Sequence, residues 1–328
     1  MAFLSVVTTV RATSQEDFRY DVYKSNGTAY IEKYIGSSAV VDVPSSIRAD
    51  SGDRDDDGNP IYRNYTVTCI SKYAFSGNVG ITQVSIPETI TDGSKLCIFA
   101  ECTNLREVNF KGVVRDIPTG MFSKCSNLRT LDLQWDSVES IGSGAFQDCG
   151  YDFGVLDYLP NVKTIGARAF GNVQTLTSVS LSSLTRIERE AFIGCGNLES
   201  ASVDGAGLRL EGGGENDYYT YGPFARCPKL RTVRLGDGVV SIPYRLFYGS
   251  TNLETVVLGR GITVANTVLR DLKNLTTVVA RGAIRVIPTG MFSGCSNLRT
   301  LDLKWDSVES IGSGAFQDCG YDFGVLDY

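Results

Sequence analysis

Asp53, Asp55 and Asp57, followed by Gly58, carry the D-x-D-x-D-G spacing of a calcium-binding loop. Alternate carboxylates in such a loop can converge on a hard cation when the glycine permits a sharp turn. Calcium is therefore the cofactor this stretch would take, and nothing else in the chain calls for one. The match is partial, because Asn64 stands where a helix–loop–helix calcium site has its bidentate glutamate and Pro60 falls inside the loop. The plainer reading is a solvated acidic hairpin tip, with Gly58-Asn59-Pro60 as ordinary turn chemistry.

A second set of residues could bind a partner. Tyr218, Tyr219 and Tyr221 lie in the segment 211–221, ten residues upstream of Arg231 and Arg234. Tyrosine and arginine are the usual anchor types at interfaces. The ligand they suggest is a protein or a glycan; the plainer reading is a solvated loop beside ordinary surface charge.

Catalysis finds little support. The chain contains no histidine, which removes Ser-His-Asp and Cys-His mechanisms, His-ligated zinc and His acid–base work. No recognisable nucleophile motif or phosphate-binding loop is present. Seven of the nine cysteines (Cys102, Cys125, Cys149, Cys195, Cys227, Cys295, Cys319) stand three residues after a phenylalanine, and no C-x-x-C pair occurs. That regularity predicts reduced thiols used as small core residues with a weak donor. The net charge of −6 argues against a nucleic-acid partner. No segment is long and apolar enough to predict a membrane span.

The elements that would position these groups follow from a repeat. Phe75, Phe99, Phe122, Phe146, Phe170 and Phe192, then Phe224, Phe247, Phe292 and Phe316, recur mostly every 22 to 24 residues, with Leu269 in one slot and a longer interval before Phe224. Behind them run a leucine column (such as Leu105, Leu128, Leu176) and two columns two residues apart (Val108 and Phe110, Leu131 and Leu133, Val179 and Leu181). The last two have the spacing of a short strand with one buried face. A Val/Ile pair such as Val138 and Ile141 then leads to the next turn. Period and pattern predict a leucine-rich repeat solenoid, with short parallel β-strands and short helical or 3-10 turns. The array is expected over 70–328, about ten to eleven repeats, with 211–221 as an insertion bulging from one face.

Before the array, 17–69 reads as a capping region. Phe18, Tyr20 and Val22 alternate up to a Ser25-Asn26-Gly27 turn, a strong hairpin signal. The acidic loop is expected over 50–64. Residues 1–16 read as an arm or the remnant of an export signal, since the apolar run Met1–Val10 precedes Arg11-Ala12-Thr13 but lacks a positive start.

The motif A-F-x-x-C-x-x-L-x-x-V-x-L preceded by I-G or I-P, as in I-G-S-G-A-F-Q-D-C-G at Ile141–Gly150 and I-E-R-E-A-F-I-G-C-G-N-L at Ile187–Leu198, resembles the BspA-like class of leucine-rich repeats. G-T-A-Y-I-E-K-Y-I-G-S at Gly27–Ser37 is similar to that family's N-terminal region. The departures are Leu269 for phenylalanine, Ser250 and Asp271 for cysteine, and the expanded segment after Cys149. The resemblance implies a surface or secreted binding protein, often an adhesin, holding a ligand on the array; a cytoplasmic location is the alternative.

The rival expectation is a self-assembling scaffold. Ile117–Tyr158 returns at Ile287–Tyr328 with only Lys124→Gly294 and Gln134→Lys304 changed. Even exposed positions such as Gln147 and Asp148 recur, which points to a recent segmental duplication. The first copy runs on into Leu159 and another coil, so either the native protein continues past Tyr328 or its open C-terminal repeat seeks a partner, including a second copy.

Overall fold

A computed structural model describes residues 13–90, 98–213, 217, 219–260, 262–264 and 267–323. The possible export signal in 1–12 and Tyr218 lie outside the described residues. β1 (Phe18–Tyr23) and β2 (Thr28–Tyr34) pair antiparallel around Gly27, which adopts φ +73°. After β3 (Val40–Asp42) come β4 (Ser46–Arg54) and β5 (Pro60–Ile70), a second antiparallel hairpin, and the sheet order is β1-β2-β5-β4. The acidic segment is thus mostly strand, and only 55–59 is loop. Its strands escaped the sequence pattern because this hairpin projects into solvent and is polar on both faces, so hydrophobic alternation is absent. Phe18 and Tyr34 meet Phe75 at ring-centroid distances of 6.4 and 5.6 Å, which lays this sheet on the first ring of the repeat column.

The rest is a β-solenoid, beginning earlier than Ile70 because β3 pairs in parallel with Gln83–Ile86. Parallel rungs continue through 107–110 and 130–132, then through 155–156, 178–181, 200–203, 232–235, 255–258, 277–280 and 300–302. Val179, Ala201, Val233, Val256, Val278 and Leu301 stack in one register and are all buried. A second parallel sheet, unanticipated from the sequence, is built from the Val/Ile positions: 116–117, 140–141, 164–165, 186–187, 208–210, 239–242 and 263–264. Most of its strands have two residues, too few to show a period, yet Ile117, Ile141, Ile165 and Ile187 form a buried file.

The phenylalanine turns form a third ladder rather than helix. Phe122 N–H donates to Ala145 O, Phe146 to Ala169 O and Phe170 to Ala191 O, each at 2.8 Å. The backbone enters the left-handed region two residues before and two after the phenylalanine, as at Gly120 and Lys124 or Arg168 and Asn172. Two such reversals per turn block a continuous 3-10 helix. Among the described residues 3-10 helix is confined to Gln15–Asp17, Trp135–Ser137 and Trp305–Ser307.

Two side-chain files tie coil to coil. The thiols of Cys102, Cys125, Cys195, Cys227 and Cys295 donate to the carbonyl of the preceding coil's Phe75, Phe99, Phe170, Phe192 and Leu269, at 3.0–3.2 Å. Ser250 stands in the same slot and its hydroxyl donates to Phe224 O at 2.8 Å, so this departure keeps the bond. Where Leu269 replaces phenylalanine the cysteine slot is filled by buried Leu272; Asp271 holds the left-handed position beside it, not the slot itself. Asn104, Asn127, Asn197 and Asn252 each donate from Nδ2 to a backbone carbonyl one coil back, at 2.7–2.8 Å. Phenylalanine rings stack from Phe75 to Phe224 with centroids 5.2–5.8 Å apart, within the range of favourable aromatic contact.

Candidate functional site

The insertion departs from coil geometry after Leu210 and returns at Gly222. It is pinned at both ends. Glu211 pairs with Arg186 at 2.7 Å, and Gly213 packs against Asp217 O and Thr220 O, a position with no room for a side chain. Asp217 holds the residues that follow: its Oδ1 accepts from the N–H groups of Tyr219 (3.0 Å) and Thr220 (3.1 Å). Hydrogen bonds from Thr220 and Tyr219 hold the Asp217 carboxyl below the usual carboxylate range.

The returning segment lands on a buried carboxylate. Glu190 is 3% exposed; one oxygen accepts from Tyr221 N–H at 3.3 Å and the other from Arg168 Nε. A charge buried this deeply needs both partners. Between the insertion and three successive turns lies a groove of about 550 Å³, lined by Ser143, Gly144, Gln147, Ala167, Arg168, Arg189, Glu190, Tyr219 and Thr220. Tyr219 is 89% exposed and forms one wall. Arg189 is exposed and has no ion-pair partner among the described residues.

Tyr221 has a different role. Its ring stacks on Tyr248 at 4.9 Å, its hydroxyl accepts from Arg226 at 3.1 Å, and the Arg226 guanidinium sits 4.7 Å from the ring centroid. Arg245 lies 5.6 Å from the Tyr248 ring. This cluster fastens the insertion to the following coil. Arg231 and Arg234 belong to the strand face: Arg231 pairs with Glu254 at 2.8 Å, and Arg234 stands between Ser202 and Val257 in the ladder. Neither lines the groove, so among the described residues chosen from sequence only Tyr219 does.

Arg168, Arg189, Gln147 and Glu190 were not singled out from sequence. A signal existed. Two residues before the phenylalanine, where Gly120, Gly144, Gly290 and Gly314 take positive φ, the coils around the insertion carry Arg168, Glu190 and Arg245 at φ 53–59°. A non-glycine residue in that region costs about 1–2 kcal/mol, and such outliers gather where the side chain has a task. Tyr73 and Thr267 show the same departure elsewhere.

At the acidic hairpin the carboxylates point to separate partners. Asp53 pairs with Arg63 at 2.9 Å, while Asp55 accepts from the N–H groups of Asn59 (2.8 Å) and Asp57 (3.0 Å). Those bonds, Asn59 first, pull the Asp55 carboxyl down. Among the described residues no three carboxylates or thiols gather as a cation would require, and Asp57 completes no such set with Asp53 and Asp55.

The repeat face that carries this groove has relatives. The model of the BspA type leucine rich repeat region matches in six copies, over 59–154, 156–207 and 220–322. The chain belongs to the BspA-type leucine-rich repeat family. The gap between the second and third matched stretches, 208–219, covers most of the insertion, Tyr219 included. Among solved structures, a leucine-rich repeat protein from Bacteroides ovatus is 23% identical with TM-score 0.59, covering 95% of this chain and 81% of that one. A leucine-rich cell surface protein from Faecalibacterium prausnitzii is 19% identical with TM-score 0.44, covering 96% and 99%. The pneumococcal vaccine antigen PcpA is 16% identical with TM-score 0.40, covering 95% and 88%. The first of these likenesses supports the fold alone. No curated protein matches in sequence. Among the described residues no helix is long and apolar enough to cross a membrane.

Proposed function

We propose that this BspA-type repeat protein is a non-enzymatic binding protein, displayed at the cell surface or secreted, that holds a protein or glycan ligand in the groove under the insertion. The observation that carries the reading is the insertion itself. It interrupts an otherwise regular spacing, is anchored at Glu190 and at Tyr248, and presents Tyr219 to solvent over the turns of three coils. An exposed aromatic beside polar groups on a rigid scaffold is the arrangement expected of a recognition site. The lack of histidine agrees with a role in binding rather than catalysis.

The test is retention of the purified chain and of Tyr219→Ala on immobilised panels of extracellular proteins and glycans. Because Tyr219 is exposed, the variant should fold and melt as the parent does. A ligand lost on substitution, by roughly tenfold in affinity, supports the groove. Equal retention of every ligand by both proteins would place the binding site elsewhere on the array.

A further inference from the structure

The charge and composition of the groove narrow its ligand, given the reading that the groove is the binding site. Its lining holds two guanidiniums, Arg168 and Arg189, against one carboxylate, Glu190. Glu190 is spent: both of its oxygens are engaged, one by Arg168 and one by Tyr221 N–H. Just outside the lining, Glu188 and Glu211 share Arg186, with Arg209 next to Arg186 in the sheet and without an ion pair among the described residues. The Asp217 carboxylate is met by the N–H groups of Tyr219 and Thr220 and by the charge of Arg245. Among the described residues one exposed cation, Arg189, is left over inside the groove. A guanidinium offers a planar fork that matches a carboxylate.

The remaining lining speaks against a peptide anchor. Ser143, Gly144, Gln147, Ala167 and Thr220 supply hydroxyls, an amide and small surfaces, and among the described residues no aliphatic side chain larger than alanine lines the groove. Protein-recognition pockets bury large apolar or aromatic anchors in desolvated sites. A pyranose ring has different needs: an apolar C–H face for an aromatic ring, and hydroxyl edges for amide and hydroxyl groups. Tyr219 provides the first, while Gln147, Ser143 and Thr220 provide the second.

We infer that the groove takes a carboxylated sugar unit of an acidic glycan, with the sugar ring against Tyr219 and its carboxylate on Arg189. Binding is non-covalent and selects the acid over its neutral ester.

The experiment is calorimetric titration of the whole chain with sialyl-lactose and with a galacturonic acid trimer, each beside its methyl ester. The ester keeps the shape and removes the charge. The expected result is binding of at least one acid, about tenfold or more weakened in its ester, in Arg189→Gln and by Tyr219→Ala, with Arg189→Lys in between. Added salt should weaken the acid and leave the ester unaffected. Unchanged melting of the Arg189 variants shows that the fold is intact.

Equal binding of acid and ester, or full binding by Arg189→Gln, overturns the acidic-sugar inference; if Tyr219→Ala still abolishes that binding, the groove remains the site. A pentaglutamate peptide bound as tightly as the sugars overturns it in favour of acidic peptides. If neither acid binds, this inference fails, and the wider groove reading then rests on the panel experiment with Tyr219→Ala.

Discussion

Residues 117–158 and 287–328 are nearly the same sequence in two settings. In the first copy the coil carrying Leu159, Val162, Ile165 and Phe170 lies on top, and Val138, Ile141, Phe146 and Phe153 are 0–3% exposed. In the second, no coil covers it among the described residues: Ile311 is 54% exposed, Phe323 41% and Trp305 36%. Phe153 wedges edge-on between Phe146 (5.0 Å) and Phe170 (5.1 Å), whereas its counterpart Phe323 has only the first of these neighbours, Phe316, at 4.8 Å. The local backbone is unaffected. Both copies form the 3-10 turn at their tryptophan, and Gly144 and Gly314 share φ 61°. A coil's shape is therefore local, while its burial is supplied by the neighbour, as expected of a quasi-one-dimensional array.

Paired substitutions should break this equivalence most at the ring spine. Phe146→Ala removes a ring stacked on both sides and should cost about 3–5 kcal/mol; Phe316→Ala, with Phe292 on one side only, should cost about half as much. Urea unfolding of the two variants measures the difference, and equal midpoints would mean that the terminal coil is covered in solution. Next come the short isoleucine strands, 140–141 in the second sheet and 310–311, which pairs with 286–287. Ile141→Ala should cost about 2–4 kcal/mol and Ile311→Ala about 0.5 kcal/mol or less, read from the same curves.

The cysteines sharpen the contrast at a smaller scale. Burial pushes the Cys149 thiol up to about 12, whereas Cys319 is only partly buried. Alkylation of the native chain at pH 8, read by mass spectrometry, should label Cys319 and spare Cys149; labelling of both would show that the first copy opens. The thiols of Cys102, Cys227 and Cys295 are also held up to about 12 by burial. Their folded values exceed the unfolded value, so the folded state keeps protons that the unfolded state releases. Stability is full below the unfolded thiol range, about 8.5, and is lost as pH rises toward 12. A melting temperature flat from pH 9 to 11 would contradict this. The smallest expected effect is optical: the tryptophan of Trp135→Phe, which reports Trp305, should be quenched more readily by acrylamide than that of Trp305→Phe.

Much of the fold was legible because burial imposes residue type at fixed spacing. The phenylalanine, leucine and valine columns, the cysteine slot and the turn at Gly27 stand where the pattern puts them. The second sheet was not legible, since most of its strands have two residues and only one of each pair faces the core. The site was mostly illegible too. Tyr219 could be chosen by residue type, but Arg168 and Glu190 lie 51 and 29 residues upstream and meet it only because the insertion folds back over earlier coils. Arg231 and Arg234, close to it in sequence, stand on another side of the coil.

The sequence alone determined the solenoid, its period, and the chemistry of each buried column, because a repeated coil can bury only one pattern. Tertiary stacking decided the rest. It made Ile141 core and Ile311 surface from the same local sequence, and it assembled a groove from three turns and an insertion. The reason is physical: residue type records which side of a coil faces inward, but exposure and the meeting of distant side chains depend on which coil lies next to it.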